Sequence, residues 1–409
     1  MSVIPLYDLG QPFYVPAFEV KVTGASALAS FEGKGTPLDR NVVKDVLEVT
    51  YQDSIDKVDS FTLVFNNWDA DARMPLFLGT PPPKGASGPS ARSQKLFDLI
   101  KPGSTLQVLM GYQGPKPDLR VMTTGLIQTL EADFPEAAAP RLTVRGLNVL
   151  DRFKNKQFTW AWPSDPNKTI TDSEIAKELG KNKADSPPGQ PGLGIEVRTA
   201  DVKEPPLNYV MMNNQYPIVF LMDRARRNGY DVFLAREGEK QFLYFGPSNR
   251  VADRTYKLEW GKSLVSFKPT ISLARQVGKV TVLGWDRKTK KPIKATASLS
   301  DPEVQKVNKD WHPFITSIGR EEVVADRPLD TGAQAEKIAR EYLRAQVQDL
   351  VEATGVVVGL PDLRAGRKVE IGGFDPLLNG TWFLKETTHT INDTGYRTTF
   401  VARREGPAK

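Results

Sequence analysis

The stretch VKDVLEVTYQDSIDKVDSFTLVF, Val43 to Phe65, sets the class of the fold. Val43, Leu47, Val49 and Tyr51 share one parity, with Lys44, Glu48 and Thr50 on the other, and Asp45 and Val46 interrupt the pattern. After a polar turn, Asp53 to Asp59, the residues Phe61, Leu63 and Phe65 alternate again. Period-2 alternation with one polar face is the mark of half-buried antiparallel strands. Working outward, strand patterns recur at Thr105 to Met110, Leu119 to Glu131 and Arg141 to Arg145. Between them GTPPPKGASGPS, Gly79 to Ser90, has no periodicity and reads as an inserted solvent loop.

A mixed region follows. Thr171 and Glu174 form a capping-box pattern that opens a short helix stopping at Gly180. ADSPPGQPGLG, Ala184 to Gly194, is a second loop expected to be dispensable for folding, and Ile195, Val197 and Thr199 suggest a strand. Pro217, the stripe Ile218, Leu221, Met222 and Ala225, and the stop Asn228-Gly229 predict a second helix. Tyr230 to Phe245 reads as a hairpin around Glu237 to Lys240. The last third is mostly strands again, at Leu264 to Pro269, Gln276 to Gly284, Ile293 to Ala297, Lys368 to Ile371, Thr381 to Thr390 and Arg397 to Arg403. One helix interrupts it. Thr331 and Gln334 repeat the capping pattern, and Ala335, Ile338, Ala339, Tyr342, Leu343, Val347, Leu350 and Val351 form an apolar stripe ending near Gly355.

Two distant stretches follow one template. KPGSTLQVLMG (Lys101 to Gly111), TGLIQTLE (Thr124 to Glu131) and RLTVRG (Arg141 to Gly146) match LRAGRKVEIGG (Leu363 to Gly373), NGTWFLKE (Asn379 to Glu386) and YRTTFVA (Tyr396 to Ala402). Either these are two generic β-meanders, or the chain carries two copies of one small β-barrel near its ends.

Composition narrows the function. Among 409 residues, 55 Lys plus Arg exceed 49 Asp plus Glu by only 6, too thin an excess for a dedicated nucleic-acid binder. Apolar content of 40% with 25% charged residues is globular. There is no Cys, and His312 and His389 are the two histidines, so disulfides, thiol nucleophiles and paired-His metal chemistry are absent. The densest apolar run, Ile218 to Met222, is far short of a bilayer span. The N-terminal MSVIPLYDLGQPFYVP lacks a signal-peptide pattern, so the expectation is a chain made in the cytoplasm.

Individual candidates for chemistry are weak. Trp68-Asp69-Ala70-Asp71 offers two carboxylates, as a cation site or as a solvated turn. His389 in TTHT lacks a recognisable nucleophile and acid beside it and reads as a hydrogen-bonded structural residue; His312 in DWHPF reads as packing. Arg287, Lys288, Lys290, Lys291 and Lys294 after Trp285 form either a solvated turn or a basic hairpin able to touch nucleic acid. Phosphate loops, dinucleotide fingerprints, nucleophile elbows and HExxH patterns are missing. No catalytic, cofactor-binding or metal-binding residue is assigned, and the expectation is a non-enzyme without cofactor.

Four stretches carry a family resemblance: Leu47 to Asp69, Tyr216 to Gly246, Leu264 to Ile293, and Gly355 through Arg404. In that order they resemble the late control gene D family, the baseplate hub of contractile phage tails and related injection systems, and the N-terminal part of VgrG-type spikes. The resemblance implies a mainly β chain with an α+β insert. Its expected parts are a first tube-like β-barrel at 1–165, the insert at 166–250, and a second tube-like β-barrel at 251–409 with one long helix at 332–352. It also implies a homotrimer that joins a hexameric inner tail tube to a trimeric spike within a particle's baseplate. VgrG-type chains continue into an OB-fold and a β-helical spike. This one stops at Lys409, so the spike is expected as a separate polypeptide. The rival readings are a virion-associated cell-envelope hydrolase and an envelope-binding module.

Overall fold

The computed structural model describes residues 3–5, 15–23, 36–38, 40–70, 73–77, 100–113, 118–237, 240–248, 255–286, 289–325, 329 and 331–406. The Gly79 to Ser90 loop lies outside them. The first region contains β1 (Val3–Pro5), β2 (Val15–Thr23), β3 (Thr36–Pro37), a helical turn Arg40–Val43, β4 (Val46–Ser54), β5 (Ser60–Asn66), the short β6 (Trp68–Asp69) and β7 (Met74–Pro75), β8 (Thr105–Gln113), β9 (Asp118–Asp133) and β10 (Arg141–Asn148). The middle holds β11 (Phe158–Trp162), helix Asp172–Gly180, β12 (Val197–Thr199), β13 (Val210–Gln215), helix Pro217–Asn228, β14 (Asp231–Glu237) and β15 (Lys240–Gly246). The last region comprises β16 (Thr255–Glu259), β17 (Leu264–Ile271), β18 (Lys279–Asp286), β19 (Lys291–Ser298), helix His312–Ile318, β20 (Glu321–Val324), helix Gly332–Gln348, β21 (Val351–Val358), β22 (Lys368–Gly372), β23 (Gly380–Asn392) and β24 (Gly395–Gly406).

The fold is mainly β, with helices concentrated in the middle region and beside β18–β20. One large sheet contains two six-stranded arcs. The first runs β4-β5-β10-β9-β8-β2 and the second β17-β21-β24-β23-β22-β16. Taken in chain order within each arc, the two sequences of neighbours are the same. Two of the irregularities also coincide. Each arc has a bulge near the start of its first hairpin strand, between Val46 and Glu48 in one and between Leu264 and Ser266 in the other. A second bulge separates Arg145 from Gly146 opposite β9 in one and Leu384 from Glu386 in the other. Before β8, Gly103 N–H donates to the Ile127 carbonyl and Ile127 N–H to that of Ser104; before β22, Gly366 donates to Leu384 and Leu384 to Arg367, all at 2.9 Å. Gly103 (φ +88°) and Gly366 (φ +81°) supply the left-handed turn that this pair of bonds needs.

The arcs differ in one strand: β2 runs antiparallel to β8, whereas β16 runs parallel to β22. Among the described residues neither arc is closed into a barrel by a strand ladder, which departs from the expected closed tubes. In the first arc the reason is that the outer edge of β4 is bonded to β23.

Each arc and the middle region has its own core. The first is built on Val49, Tyr51, Phe61, Leu63, Phe65 and Val108. The last draws on Trp382, Phe400 and the inner face of the helix Gly332–Gln348. The middle core includes Val149, Leu150, Phe153 and Trp162, and β11 pairs with β13, so the packing of the insert starts well before residue 166. Ile55, Phe233, Tyr244, Ala365 and Phe383 form a small cluster where all three regions meet.

Three local readings change. The strand expected from Val43 starts at Val46, because a helical turn precedes it and the bulge turns Leu47 outward, 43% exposed. The long helix ends at Gln348, not 352: Asp349 caps it, and Val351, Ala353 and Val357 alternate into β21. Leu350 and Val351 satisfy both periodicities, and pairing of Val351 with Ile271 of β17 decides for the strand there. The 184–194 loop is not all in solvent: Gln190 and Leu193 are buried, and Leu193 belongs to the middle core. The capping box at Thr171 and Glu174 and the left-handed Gly229 stop form as read. On the long helix Leu343 is fully buried, with Ile338 and Tyr342 packed partly against the same core. Leu343→Ala should cost roughly 2–5 kcal/mol in a urea titration; an unchanged midpoint would place that helix face in solvent.

Candidate functional site

The two arcs meet along a seam where residues 386–391 of β23 pair antiparallel with residues 49–54 of β4, from Glu386 opposite Ser54 to Ile391 opposite Val49. β23 and β24 outrun their own arc, and their tip carries Ile391 and Tyr396 into the core of the first arc. The segment 359–365, between β21 and β22, lies over the same seam. Its Gly359 carbonyl accepts from Tyr112 OH at 2.8 Å, and Asp362 pairs with Arg120 and accepts from Tyr256 OH.

A polar network fills the seam. Arg364 Nε donates to Asp53 Oδ2 at 2.6 Å, and its Nη2 donates to Tyr51 OH and, at 3.0 Å, to the Met122 carbonyl. Its guanidinium lies over the Tyr51 ring. Tyr51 OH and Asn148 Nδ2 both donate to Asp59 Oδ2, at 3.0 and 3.1 Å. Thr387 Oγ1 donates to the other oxygen of Asp53. His389 is fully buried; its Nε2 lies 2.9 Å from the Leu363 carbonyl, which can only accept, so Nε2 carries the proton. Its Nδ1 then accepts from Tyr396 OH at 3.0 Å and Thr398 Oγ1 at 3.1 Å. The segment read as a polar turn, Asp53 to Asp59, thus has both its terminal aspartates buried. The sequence offered no local signal for the burial of Asp53, because its cover comes from residues 363–366 and β23, over 300 positions away.

Burial, and then the nearby charge of Asp53, raises the Asp59 carboxyl to about 7. Burial lowers the His389 imidazole to about 4. The two act in opposite directions. Folded Asp59 holds a proton that the unfolded chain releases above about pH 4, so its contribution falls as pH rises toward 7. Folded His389 stays neutral where the unfolded chain protonates below about pH 6.5, so its contribution is lost as pH falls toward 4. Relative to the parent, Asp59→Asn should therefore gain stability with rising pH between about 4.5 and 6.5, and His389→Gln should lose it, each by up to about 1.4 kcal/mol per pH unit. Urea midpoints across that window read the slopes, and slopes of the same sign would refute these protonation states.

The network's acids, guanidinium and imidazole bond to one another across the seam and so clamp the two arcs together. A larger cleft, about 840 Å³, lies between the helices Pro217–Asn228 and Gly332–Gln348. Its Asp172 is held bidentately by Arg224, at 2.5 and 3.0 Å, and by Asn228 Nδ2 at 2.7 Å. The other sequence candidates are scattered. His312 Nε2 meets the Val307 carbonyl at 2.8 Å beside Trp311. Lys290, Lys291 and Lys294 sit on the β18–β19 hairpin, while Arg287 and Lys288 lie outside the described residues. Asp69 is in β6, and Asp71 is outside the described residues. Among the described residues no group of acids and histidines is placed to hold a metal, and no helix is long and apolar enough to cross a membrane.

The family model described as the Alg8 N-terminal domain matches residues 93–393. The chain belongs to this family. The match runs from just before β8 to the tip of the β23–β24 hairpin, so in this Alg8 N-terminal family member it includes both Gly-turns and the β23 side of the seam, while β4 precedes it. No curated protein matches. In structure the chain is similar to a tail protein from Neisseria meningitidis MC58, at 15% identity and TM-score 0.62, covering 96% of this chain and 97% of that one. It is also similar to the 43 kDa tail protein of prophage MuSo2 from Shewanella oneidensis, at 16% identity and TM-score 0.59, covering 95% and 98%. A chain of the Francisella PdpA-VgrG complex aligns at 8% identity and TM-score 0.51, covering 95% of this chain and 57% of that one. The Alg8 N-terminal family member thus has the fold of phage tail proteins.

Proposed function

We propose that this chain is the structural hub of a contractile tail or injection-system baseplate. In this reading it is a homotrimer that joins a six-fold inner tail tube to a three-fold spike, and it is not an enzyme. The observation that carries the reading is the duplication. Two arcs of one strand order, with bulges and turn bonds at matching places, stand side by side in one chain. Three such chains offer six similar barrel-like units, the number of equivalent ends that a hexameric tube presents. The tail proteins that share the fold supply the context. A ring of this kind is built from heterologous contacts, so closure fixes the copy number.

The test is native mass measurement of the chain purified with its spike protein, followed by addition of tube protein. Three copies per complex, with tube bound at one end, are expected. Two or four copies would sink the hub. Turnover of peptidoglycan or another envelope glycan, lost on replacing one acid, would instead establish the hydrolase reading.

A further inference from the structure

The seam joins the arcs in one direction only: the second arc lends the end of β23, and the first supplies the edge of β4. The matching bulges fix which residues of the two arcs correspond. Opposite the second bulge, Ile127 with Gly146 corresponds to Leu384 with Ala402, and Thr129 with Arg145 to Glu386 with Val401. Residues 386–391 of β23 thus correspond to residues 129–134 at the end of β9. Val46 and Glu48 correspond to Leu264 and Ser266, so residues 49–54 of β4 correspond to residues 267–272. Every chain therefore carries a second lending strand and a second receiving edge, which within the chain are far from repeating the seam: β17 is paired only with β21, and β9 beyond Leu126 only with β10, among the described strands.

We propose that residues 129–134 of one copy pair antiparallel with residues 267–272 of a second copy, Thr129 opposite Ser272 through Phe134 opposite Phe267. The interface between chains then repeats the seam within them. The pairing rests on the hub reading for its ring geometry, while its register comes from the duplication.

Side-chain polarity agrees at every position, although Pro269, opposite Ala132, has no N–H and leaves that rung with one ladder bond fewer. In the seam the inward residues Thr387, His389 and Ile391, and Asp53, Tyr51 and Val49 opposite them, are all buried. Their counterparts are Leu130, Ala132 and Phe134, and Ile271, Pro269 and Phe267. All six are apolar, and none is fully buried: Phe134 is 53% and Ile271 43% exposed. The outward counterparts Thr129, Glu131, Asp133, Lys268, Thr270 and Ser272 are all polar, and Asp133 falls opposite Lys268. A register slip of one residue would put the three apolar side chains of one strand on the face opposite the other three. Phe134 would land on Phe267, which already packs against Trp382 and Phe374 with ring centroids at 5.3 and 5.0 Å.

The absence of native Cys makes disulfide trapping a clean test. Glu131 and Thr270 of neighbouring copies would be direct partners, with Cα atoms about 4.5–5.5 Å apart, inside disulfide reach. The chain carrying Glu131→Cys and Thr270→Cys, purified with its spike protein and oxidised, should give covalent dimers and closed trimers on a denaturing gel. Each single-cysteine chain should stay uncross-linked. A pair two residues out of register, Thr129→Cys with Thr270→Cys, should cross-link far less. Three-copy complexes with no Glu131–Thr270 cross-link, or with the offset pair favoured, would overturn the pairing and leave the hub standing. Cross-links that grow into open-ended ladders would support the pairing and overturn the trimeric hub. A chain that stays monomeric in that preparation would remove both.

Discussion

Replacing Arg364 by methionine should lower stability by about 3–5 kcal/mol, the usual cost of removing one partner from a buried ion pair. Methionine keeps much of the side-chain volume, so the loss reports charge and hydrogen bonds more than packing. Arg364 ties its own segment to two strands: Asp53 and Tyr51 in β4, and the Met122 carbonyl in β9. Without it Asp53 is left buried without its guanidinium partner, while Tyr51 and Asp59 lose the positive charge beside them. The double variant Asp53→Asn with Arg364→Met removes both charges and should recover part of the loss, because a buried pair removed whole costs less than one broken. Urea titrations of the two single variants and the double variant give the coupling. A loss under about 1 kcal/mol for Arg364→Met would mean that the seam is solvated enough to need no countercharge.

Phe400→Ala should cost about 3–5 kcal/mol, as expected for a fully buried aromatic side chain. Phe400 in β24 sits across from Gly355 in β21 and covers it, and a Cβ on Gly355 would come within 2.2 Å of the ring. The first arc uses the same device with the strands exchanged. There Phe61 in β5 covers Gly146 in β10, and a Cβ on Gly146 would also meet the ring at 2.2 Å. Aromatic cover of a strand glycine replaces the packing that the glycine cannot supply. Gly355→Ala should therefore destabilise the parent but be partly rescued by Phe400→Leu, which opens space at that spot. A thermal melt unchanged by Phe400→Ala would show that the ring adds nothing to the core.

The sequence by itself determined the elements whose cause is local. Alternation in Phe61 to Phe65 became β5, with those residues buried and their neighbours half-buried. Thr171 with Glu174 capped a helix, and Gly229 ended one, because these signals act within one turn of chain. The repeat template also survives, although its lead glycines do not correspond: Gly125 is opposite Asn148, the place that Trp382 holds opposite Arg404 in the second arc. Glycine marked strand starts there by composition alone, whereas ladder register is set by pairing partners. Tertiary structure alone decided the rest. Leu350 and Val351 fit a helix or a strand until β17 paired with the second, Ile271 opposite Val351. Asp53 and Asp59 read as the ends of a polar turn until residues 363–366 and β23 closed over Asp53 and Tyr51 and Asn148 bonded Asp59. The seam places Tyr51, Asp53, Arg364 and His389 in one network across more than 300 positions of chain. Burial is a property of what another segment brings, so a polar residue destined for such a clamp looks, in sequence, like any other polar residue.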